Sequence, residues 1–126
     1  MKIYKTQAEV DADIKDNVLT VSGDVTFEFS LKMEASLVVK EGNIKAWNIN
    51  AVDINAGDIN AWNINARNIK AGDINARNIK AGNIKAGDIS FYAVCFAYVS
   101  FKCKSIAGRR NDSKYFCLDS EVEITG

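Results

Sequence analysis

A five-residue unit repeats with almost no interruption from Gly42 to Ser90, and it constrains the fold more than any other feature of the chain. Each unit has Ile at its centre and Asn or Asp directly before it. Ala follows two residues after the Ile in every unit but the last. The isoleucines are Ile44, Ile49, Ile54, Ile59, Ile64, Ile69, Ile74, Ile79, Ile84 and Ile89. Self-similarity at a fixed short period is typical of repeat architectures, which build one structural unit many times.

An α-helix does not fit this period. Five residues advance by about 500° around a helix, so the isoleucines would spread over its whole surface. In a β-strand, Ile and the Ala two residues later lie on the same face. Because five is odd, the chain must bend after each pair to return the next Ile to that face. Asn, Asp and Gly tolerate the backbone conformations of such corners. The sequence therefore predicts an all-β fold, a parallel β-solenoid with the isoleucines buried and the same faces paired between successive coils.

The number of faces in each coil stays open from the sequence. Three faces would stack residues fifteen apart, and four faces would stack residues twenty apart. Outside the Ile and Ala positions, residues fifteen apart match more often. The matching residues include Gly42, Gly57, Gly72 and Gly87, and also Trp47 and Trp62. Either a three-sided coil or duplication of a fifteen-residue unit explains this pattern, so we expect coils of three or four sides.

The repeat resembles the pentapeptide-repeat family from Gly42 to Ser90, and the resemblance fades through about Ile106. In that family a unit has a small residue, Asn or Asp, a central Leu or Phe, and two variable positions. Pairs such as Asn48-Ile49 supply the polar residue and the apolar centre here. The resemblance implies a right-handed, four-sided β-solenoid.

This chain departs from the family's pattern two residues before the apolar centre, where the family has a small inward residue. Here that position includes four large side chains, namely Trp47, Trp62, Arg67 and Arg77. An unpaired Arg is too costly to bury in a narrow core. Two alternatives follow: Ile and Ala form the inward pair in a shifted register, or the coil differs from the family's coil.

The segments that flank the repeat are predicted to close the two ends of one domain, residues 1–126. Residues 1–41 would form an N-terminal cap and a first irregular coil, residues 42–105 the solenoid, and residues 106–126 a C-terminal cap. Thr6 and Glu9 have capping-box spacing, which predicts a short helix that ends at about Lys15. We expect this helix to cover the open end of the solenoid, where strand edges would otherwise be exposed.

Larger residues enter the five-residue period after Ser90. Continuing the count places Phe91, Phe96 and Phe101 at the Ala position, and Val94 and Val99 at the Ile position. Replacing Ala by Phe requires a wider interior, so the coils are expected to widen here. The count would next bring Lys104 and Arg109 to the Ile position, which predicts that the regular register ends near Ser105. Closing strands are predicted at residues 114–118 and 121–125.

The composition argues against several kinds of chemistry. The chain has no His, so it has no Ser–His or Cys–His catalytic pair and no His metal ligand. Cys95, Cys103 and Cys117 show no CxxC spacing. Because Met1 to Asn17 contains neither a signal peptide nor a membrane span, we interpret these cysteines as reduced thiols of a cytoplasmic protein. We expect no enzymatic activity, no cofactor, no metal ion and no membrane association.

Two groups of residues are candidates for binding a partner. Trp47, Trp62, Arg67 and Arg77 share the variable position of the repeat, and Trp and Arg are enriched at binding hot spots. We hypothesise that they form an outward protein-binding surface, and the competing interpretation is that they pack against the terminal segments. The second group is the basic and aromatic segment 102–116, which we interpret as a solvated loop. We therefore do not expect nucleic acid as a partner.

The sequence favours a non-enzymatic scaffold whose rigid faces bind another protein, and it does not indicate a more specific role. The resemblance supplies an alternative, because some pentapeptide-repeat proteins mimic duplex DNA and protect topoisomerases from inhibitors. Such mimicry requires a long run of negative charge. Residues 42–90 carry four acidic and six basic residues, so DNA mimicry stays the second hypothesis.

We predict a homodimer that forms through the C-terminal region. Phe91, Phe96 and Phe101 place large apolar side chains near the end of the repeat, where a second copy could share in covering them. The interface should be isologous, because head-to-tail contacts between open ends would propagate into fibres. Light scattering at tens of micromolar protein should give the mass of two chains, and a strictly monomeric protein would contradict the prediction.

Overall fold

The computed structural model of this chain describes residues 2–125, and parallel β-strands account for most of them. The elements in chain order are β1 Lys2–Tyr4, α1 Gln7–Asp13, β2 Val18–Ser22, β3 Val25–Phe27, β4 Leu31–Lys32, β5 Ser36–Lys40, β6 Ile44–Lys45, β7 Asn48–Asn55, β8 Ile59–Asn60, β9 Asn63–Lys70, β10 Ile74–Lys85, β11 Asp88–Cys103, β12 Ser105–Gly108, β13 Lys114–Cys117 and β14 Val122–Ile124. They wind into a β-solenoid of about six turns. The predicted parallel β-solenoid with one short N-terminal helix is confirmed.

Backbone pairing in the centre of the chain joins residues fifteen apart. It creates three columns of isoleucine, which define three faces of the coil. Face A contains Ile44, Ile59 and Ile74, face B contains Ile49, Ile64 and Ile79, and face C contains Ile54, Ile69 and Ile84. The register therefore decides between the two coil sizes in favour of fifteen residues and three sides. The four-sided coil that the resemblance implies is not the coil that this chain forms.

The isoleucine columns form the interior, as the sequence predicts. All ten isoleucines of the repeat are only 1–2% exposed. Burial of each side chain contributes about 1.5–3 kcal/mol of gross stabilisation. The alanines of faces A and B are also buried, whereas Ala56, Ala71 and Ala86 of face C are half-buried. On faces A and B the inward pair is therefore Ile and Ala, which is the shifted register.

The three corners of the coil differ in their residues, and this explains why the sequence matches itself every fifteen positions. The aromatic corner, between faces A and B, contains Trp47, Trp62 and Arg77, with Tyr92 in the next coil. The mixed corner, between faces B and C, contains Val52, Arg67 and Gly82. The glycine corner, between faces C and A, contains Gly42, Gly57, Gly72 and Gly87. A Cβ atom on Gly57 would lie 2.6 Å from the carbonyl oxygen of Gly42, so glycine is required where successive coils approach this closely.

The polar residue before each Ile connects one coil to the next. On face B, the side-chain amide of Asn63 donates to Oδ1 of Asn48 at 2.8 Å, and Asn78 repeats the bond one coil later. Face A uses the backbone instead, because the N–H of Asp73 donates to Oδ1 of Asp58 at 2.8 Å. These bonds satisfy polar groups beside the core, and they explain why every unit has Asn or Asp at this position.

Helix α1 takes the place of a strand on the B side of the first coil. Its N-terminus has both bonds of the predicted capping box, between Thr6 and Glu9. Val10 is fully buried in the core. The backbone N–H of Lys32 donates to Oε1 of Gln7, so the helix also caps a donor on the edge of strand β4. The helix therefore both fills the core and covers a strand edge that would otherwise be open.

The register after Ser90 differs from the one that the five-residue count predicts. Two β-bulges shift the pairing of β11 with β10, between Ala76 and Asn78 and between Ala81 and Asn83. Each bulge adds a residue to β11 that has no counterpart in β10. The five-residue count from the repeat therefore no longer identifies the inward residues of β11. The residues that take the inward Ile positions are Cys95 and Phe101, which pair with Ile79 and Ile84.

The predicted positions of four residues are consequently wrong. Val94 pairs with Asn78 and Phe96 pairs with Lys80, so both take outward positions. Val99 is 52% exposed. Phe101 takes an Ile position rather than an Ala position, whereas Phe91 pairs with Ala76 as predicted. The larger interior comes from the longer coils that the bulges produce.

One more coil stacks on β11 after Ser105. Strand β12 pairs with it on face A, β13 on face B and β14 on face C, and all three pairs are parallel. This coil is wider than those of the repeat, because the matched residues are seventeen apart at Ile89 and Ile106 and twenty-one apart at Phe101 and Val122. It covers Phe91 and Phe101, which are almost fully buried.

We predict that Ile64→Asp unfolds the protein. Ile64 is 2% exposed in the middle of the face B column, and a carboxylate there has no polar partner. Burying it costs more than the roughly 5–15 kcal/mol by which a typical domain is stable. The control is Asn65→Asp, which adds the same charge to the next, exposed residue. Circular dichroism should show a cooperative melt for the control only. An unchanged midpoint for Ile64→Asp would place this residue outside the core.

Candidate functional site

The aromatic corner presents two tryptophans that stack on each other in successive coils. The ring centroids of Trp47 and Trp62 are 5.7 Å apart, and the ring planes differ by 10°. The guanidinium carbon of Arg77 lies 4.2 Å from the centroid of the Trp62 ring, which is cation–π geometry. Backbone bonds hold the three residues in line, since the N–H of Trp62 donates to the carbonyl of Trp47 and the N–H of Arg77 donates to that of Trp62.

Both tryptophans are well exposed, with 57% of Trp47 and 46% of Trp62 accessible to solvent. Their stacking partners come from the repeat itself and not from the terminal segments. The core is closed without them, because Ile and Ala fill it. The corner therefore carries a large apolar surface that the fold does not need for its own packing.

A groove of about 500 Å³ runs along face A beside the aromatic corner. Its walls combine the edges of the two tryptophans with polar side chains from the middle of the face. The polar residues are Thr26, Glu28, Lys45 and Asn60. Glu28 and Lys45 are both exposed, so the groove offers a carboxylate and an ammonium group next to the aromatic surface.

The structure separates the four residues that the sequence placed in one partner-binding surface. Trp47, Trp62 and Arg77 lie together on the aromatic corner. Arg67 lies on the mixed corner, in line with Val52 and Gly82. Arg67 therefore lies apart from the other three, because a shared position in the five-residue unit does not identify which of three corners a residue occupies.

The three phenylalanines expected at a dimer interface also have different environments. Phe91 and Phe101 are inside the core of the chain itself and are not accessible to a second copy. Phe96 faces outward and stacks on Phe116 of the last coil, with ring centroids 5.1 Å apart. The exposed apolar side chains of the last coil are Tyr115, Phe116, Leu118 and Ile124. A homodimer through the C-terminal region stays a prediction, and its contacts would come from these residues.

The basic and aromatic segment 102–116 does not form one patch. Arg109 lies along face A, where its guanidinium donates to the side chains of Asn75 and Ser90. Arg110 forms an ion pair with Asp112 at 2.8 Å. Lys102 belongs to face C, because it pairs with Lys85. The coil therefore distributes these charges around its circumference.

Face C contains a feature that the sequence analysis missed. Lys70, Lys85 and Lys102 stand in register in three successive coils, beside a groove of about 640 Å³. The fifteen-residue spacing of Lys70 and Lys85 is visible in the sequence. It becomes informative only when the coil size is known, and the bulges add two residues before Lys102.

The ionisable groups with perturbed pKa values are buried groups. Burial raises the pKa of the Cys95 thiol, and burial together with the charge of Asp88 raises that of Cys103. Burial and a hydrogen bond to Asp13 raise the pKa of Tyr4. Within residues 2–125, no three residues of the types His, Cys, Asp and Glu are grouped so that they could hold a metal ion. The same residues include no helix with the length and apolar character that crossing a membrane requires.

Comparisons with protein-family models, with curated proteins and with solved structures give no match to this chain.

We predict that native protein reacts with a thiol reagent at Cys117 only. Cys95 and Cys103 are buried, and their raised pKa values keep them protonated at about pH 8, near the pKa of a free thiol. Cys117 is only half-buried. Intact-mass analysis should show one adduct on native protein and three on denatured protein. Cys117→Ser, the matched control, should show none on the native chain. Rapid labelling of Cys95 would mean that the C-terminal coil does not cover it.

Proposed function

We propose that this protein is a non-enzymatic scaffold that binds a partner protein through its aromatic corner. The observation that carries the proposal is the exposed stack of Trp47 and Trp62 on a rigid edge of the solenoid. Trp and Arg are the residue types most enriched at binding hot spots, and Arg77 completes the stack.

The stack is already ordered for binding. Each tryptophan is held by its neighbour in the next coil and by a backbone bond of 2.7 Å at Trp62 and at Arg77. Immobilising a free side chain at an interface costs about 0.5–1.5 kcal/mol, and a side chain that is held in place before binding loses less. The aromatic corner therefore supports affinity through preorganisation as well as through apolar area.

The groove beside the corner indicates the chemistry of the partner. The tryptophan edges favour an apolar or aromatic side chain, and Glu28 and Lys45 favour polar groups around it. This combination of an apolar centre and a polar rim is the usual anatomy of a protein–protein interface. We therefore propose a folded protein or an extended peptide with one apolar anchor as the partner.

We also infer that this chain is built on the same kind of five-residue unit as the pentapeptide-repeat family. The five-residue unit, the polar residue before each Ile and the buried apolar centre support it. The three-sided coil, and the Ala two residues after the Ile in all units but the last, set this chain apart from the four-sided solenoid of that family. A cytoplasmic location belongs to the same proposal, and the free state of all three cysteines supports it.

DNA mimicry is the second candidate, and one row of carboxylates favours it. Asp58, Asp73 and Asp88 align beside the glycine corner in three successive coils. On the other side of that corner, however, Lys70 and Lys85 align in the same coils. A surface with alternating acidic and basic rows does not reproduce the continuous negative charge of a DNA duplex. The scaffold proposal is therefore the better supported of the two.

The aromatic corner can be tested by comparing two variants in affinity purification from cells. Trp47→Ala with Trp62→Ala removes the stack, and Arg67→Ala is the control because it changes the same repeat position on the mixed corner. Proteins that co-purify with the wild type and with the control should be lost, by about tenfold or more, from the double variant. Equal recovery with both variants would exclude the aromatic corner as the binding surface.

Fluorescence then tests direct contact with any partner found in this way. Trp47 and Trp62 are the only tryptophans in the chain. A partner that covers them should shift their emission to shorter wavelength during titration, provided that the partner's own tryptophans are replaced. Saturable binding without any change in this emission would place the contact elsewhere on the solenoid.

A further inference from the structure

Face C carries three lysines in direct register. Lys70 pairs with Lys85, and Lys85 pairs with Lys102, in the parallel ladder of successive coils. Neighbouring strands are about 4.8 Å apart, so the three side chains start from positions on one line along the solenoid axis. All three are exposed. We call this set the lysine row.

The lysine row is unfavourable in the free protein. Like charges that lie directly opposite each other on adjacent strands destabilise a sheet. Among residues 2–125 the ion pairs are Lys2 with Asp13 and Arg110 with Asp112, and neither includes the lysine row. Glu123 stands next to Lys102 in the ladder but does not come within 4.0 Å of its ammonium group. Lys70 and Lys85 therefore have no acidic neighbour in the ladder, and their repulsion is not offset there, whereas Glu123 partly offsets the charge of Lys102.

The row of carboxylates across the glycine corner is engaged elsewhere. Asp73 and Asp88 lie across the glycine corner, three residues after Lys70 and Lys85. Oδ1 of Asp73 accepts the backbone N–H of Asp88, and Oδ1 of Asp88 accepts the hydroxyl of Ser105. These bonds run along the solenoid axis and orient the carboxylates toward the next coil. The acidic row therefore stabilises the stack of coils and leaves the lysine row unpaired.

The lysine row forms one wall of the groove on face C. The opposite wall is a polar row of Asp53, Asn68, Asn83 and Ser100, which are joined by side-chain hydrogen bonds of 2.6–2.7 Å. One end is bounded by Ser120, Glu121 and Glu123 of the last coil. The groove thus runs parallel to the solenoid axis, with the lysines on one side and hydrogen-bonding groups, including the carboxylate of Asp53, on the other. The carboxylates of Glu121 and Glu123 lie at the end nearest Lys102.

We infer that the groove on face C binds a linear polyanion with closely spaced phosphate groups, which lies along the solenoid axis. A single anion would contact only one or two lysines, whereas a chain of phosphates can neutralise all three. The only aromatic side chain beside the groove is Phe101, which is buried and offers no stacking platform for a base. Single-stranded nucleic acid, which binds through such platforms, is therefore less suited to this groove. This inference is independent of the proposed aromatic corner, which lies elsewhere on the coil.

The test uses long-chain inorganic polyphosphate with the full-length protein. Calorimetric titration should show binding that weakens with salt, because lysines that neutralise phosphates release counterions. Lys85→Gln should weaken binding by about two- to fivefold, the range for an exposed charge pair. A plot of the logarithm of the binding constant against the logarithm of the salt concentration should also become less steep, by about one unit of slope. The variant with all three lysines changed to Gln should bind at least tenfold more weakly than the wild type.

Lys80→Gln is the matched control. Lys80 also follows an Ile of the repeat and is exposed, but it lies on face B with Asn65 and Phe96 as its ladder neighbours. It should bind polyphosphate like the wild type. Without ligand and at low salt, Lys85→Gln should melt slightly above the wild type, because it removes repulsion within the row.

Three outcomes would overturn the inference. The first is equal loss of affinity in Lys85→Gln and Lys80→Gln, which would indicate attraction by overall charge. The second is binding of orthophosphate as tight as that of polyphosphate at matched ionic strength, which would indicate that a chain of phosphates is not required. The third is tighter binding of single-stranded DNA than of polyphosphate, which would assign the groove to nucleic acid. The comparison remains valid if the triple variant fails to fold, because Lys85→Gln tests the same row with one exposed substitution.

Discussion

The parallel backbone register of fifteen residues is the constraint on which the rest of this structure depends. It places Ile on Ile in three columns. These columns fill the interior of the repeat, where Ile is the only large buried side chain. It also places each Asn or Asp where it can bond to the same position of the next coil. Hydrogen bonding and burial therefore favour the same register, and a shift of one residue would lose both at once.

The same register arranges the surface in rows, and each row has its own energetic consequence. Glycines align where the backbones approach most closely, so any Cβ at Gly57 or Gly72 would crowd the preceding coil. Tryptophan aligns with tryptophan, and Arg77 caps Trp62 in contacts that stabilise by about 0.5–1 kcal/mol at exposed sites. Lysine aligns with lysine, which is destabilising. The glycine and tryptophan rows stabilise the fold without a ligand. An anionic ligand would remove the repulsion within the lysine row.

The sequence predicted the solenoid because an odd period with Ile at its centre has no other regular way to bury that residue. It did not predict coil size, since a five-residue unit is compatible with three or four sides. That ambiguity explains why the sequence did not separate Arg67 from the tryptophans and did not show the alignment of Lys70 with Lys85. The register after Ser90 failed for a different reason. The two bulges in β11 bring Cys95 and Phe101 into register with Ile79 and Ile84, and a strict five-residue count cannot contain such an insertion.

The acidic and basic rows beside the glycine corner explain why this solenoid can present uncompensated charge. Opposite charges three residues apart in a flexible segment would often pair. Here the carboxylate of Asp73 accepts the backbone N–H of Asp88, which fixes its orientation along the axis. The lysines extend outward from the middle of face C, on the other side of the corner. Among the described residues, no lysine of the row comes within 4.0 Å of a carboxylate of the acidic row. The register that builds the core therefore holds the two rows on separate sides of the glycine corner, with the lysine row open to an anionic ligand.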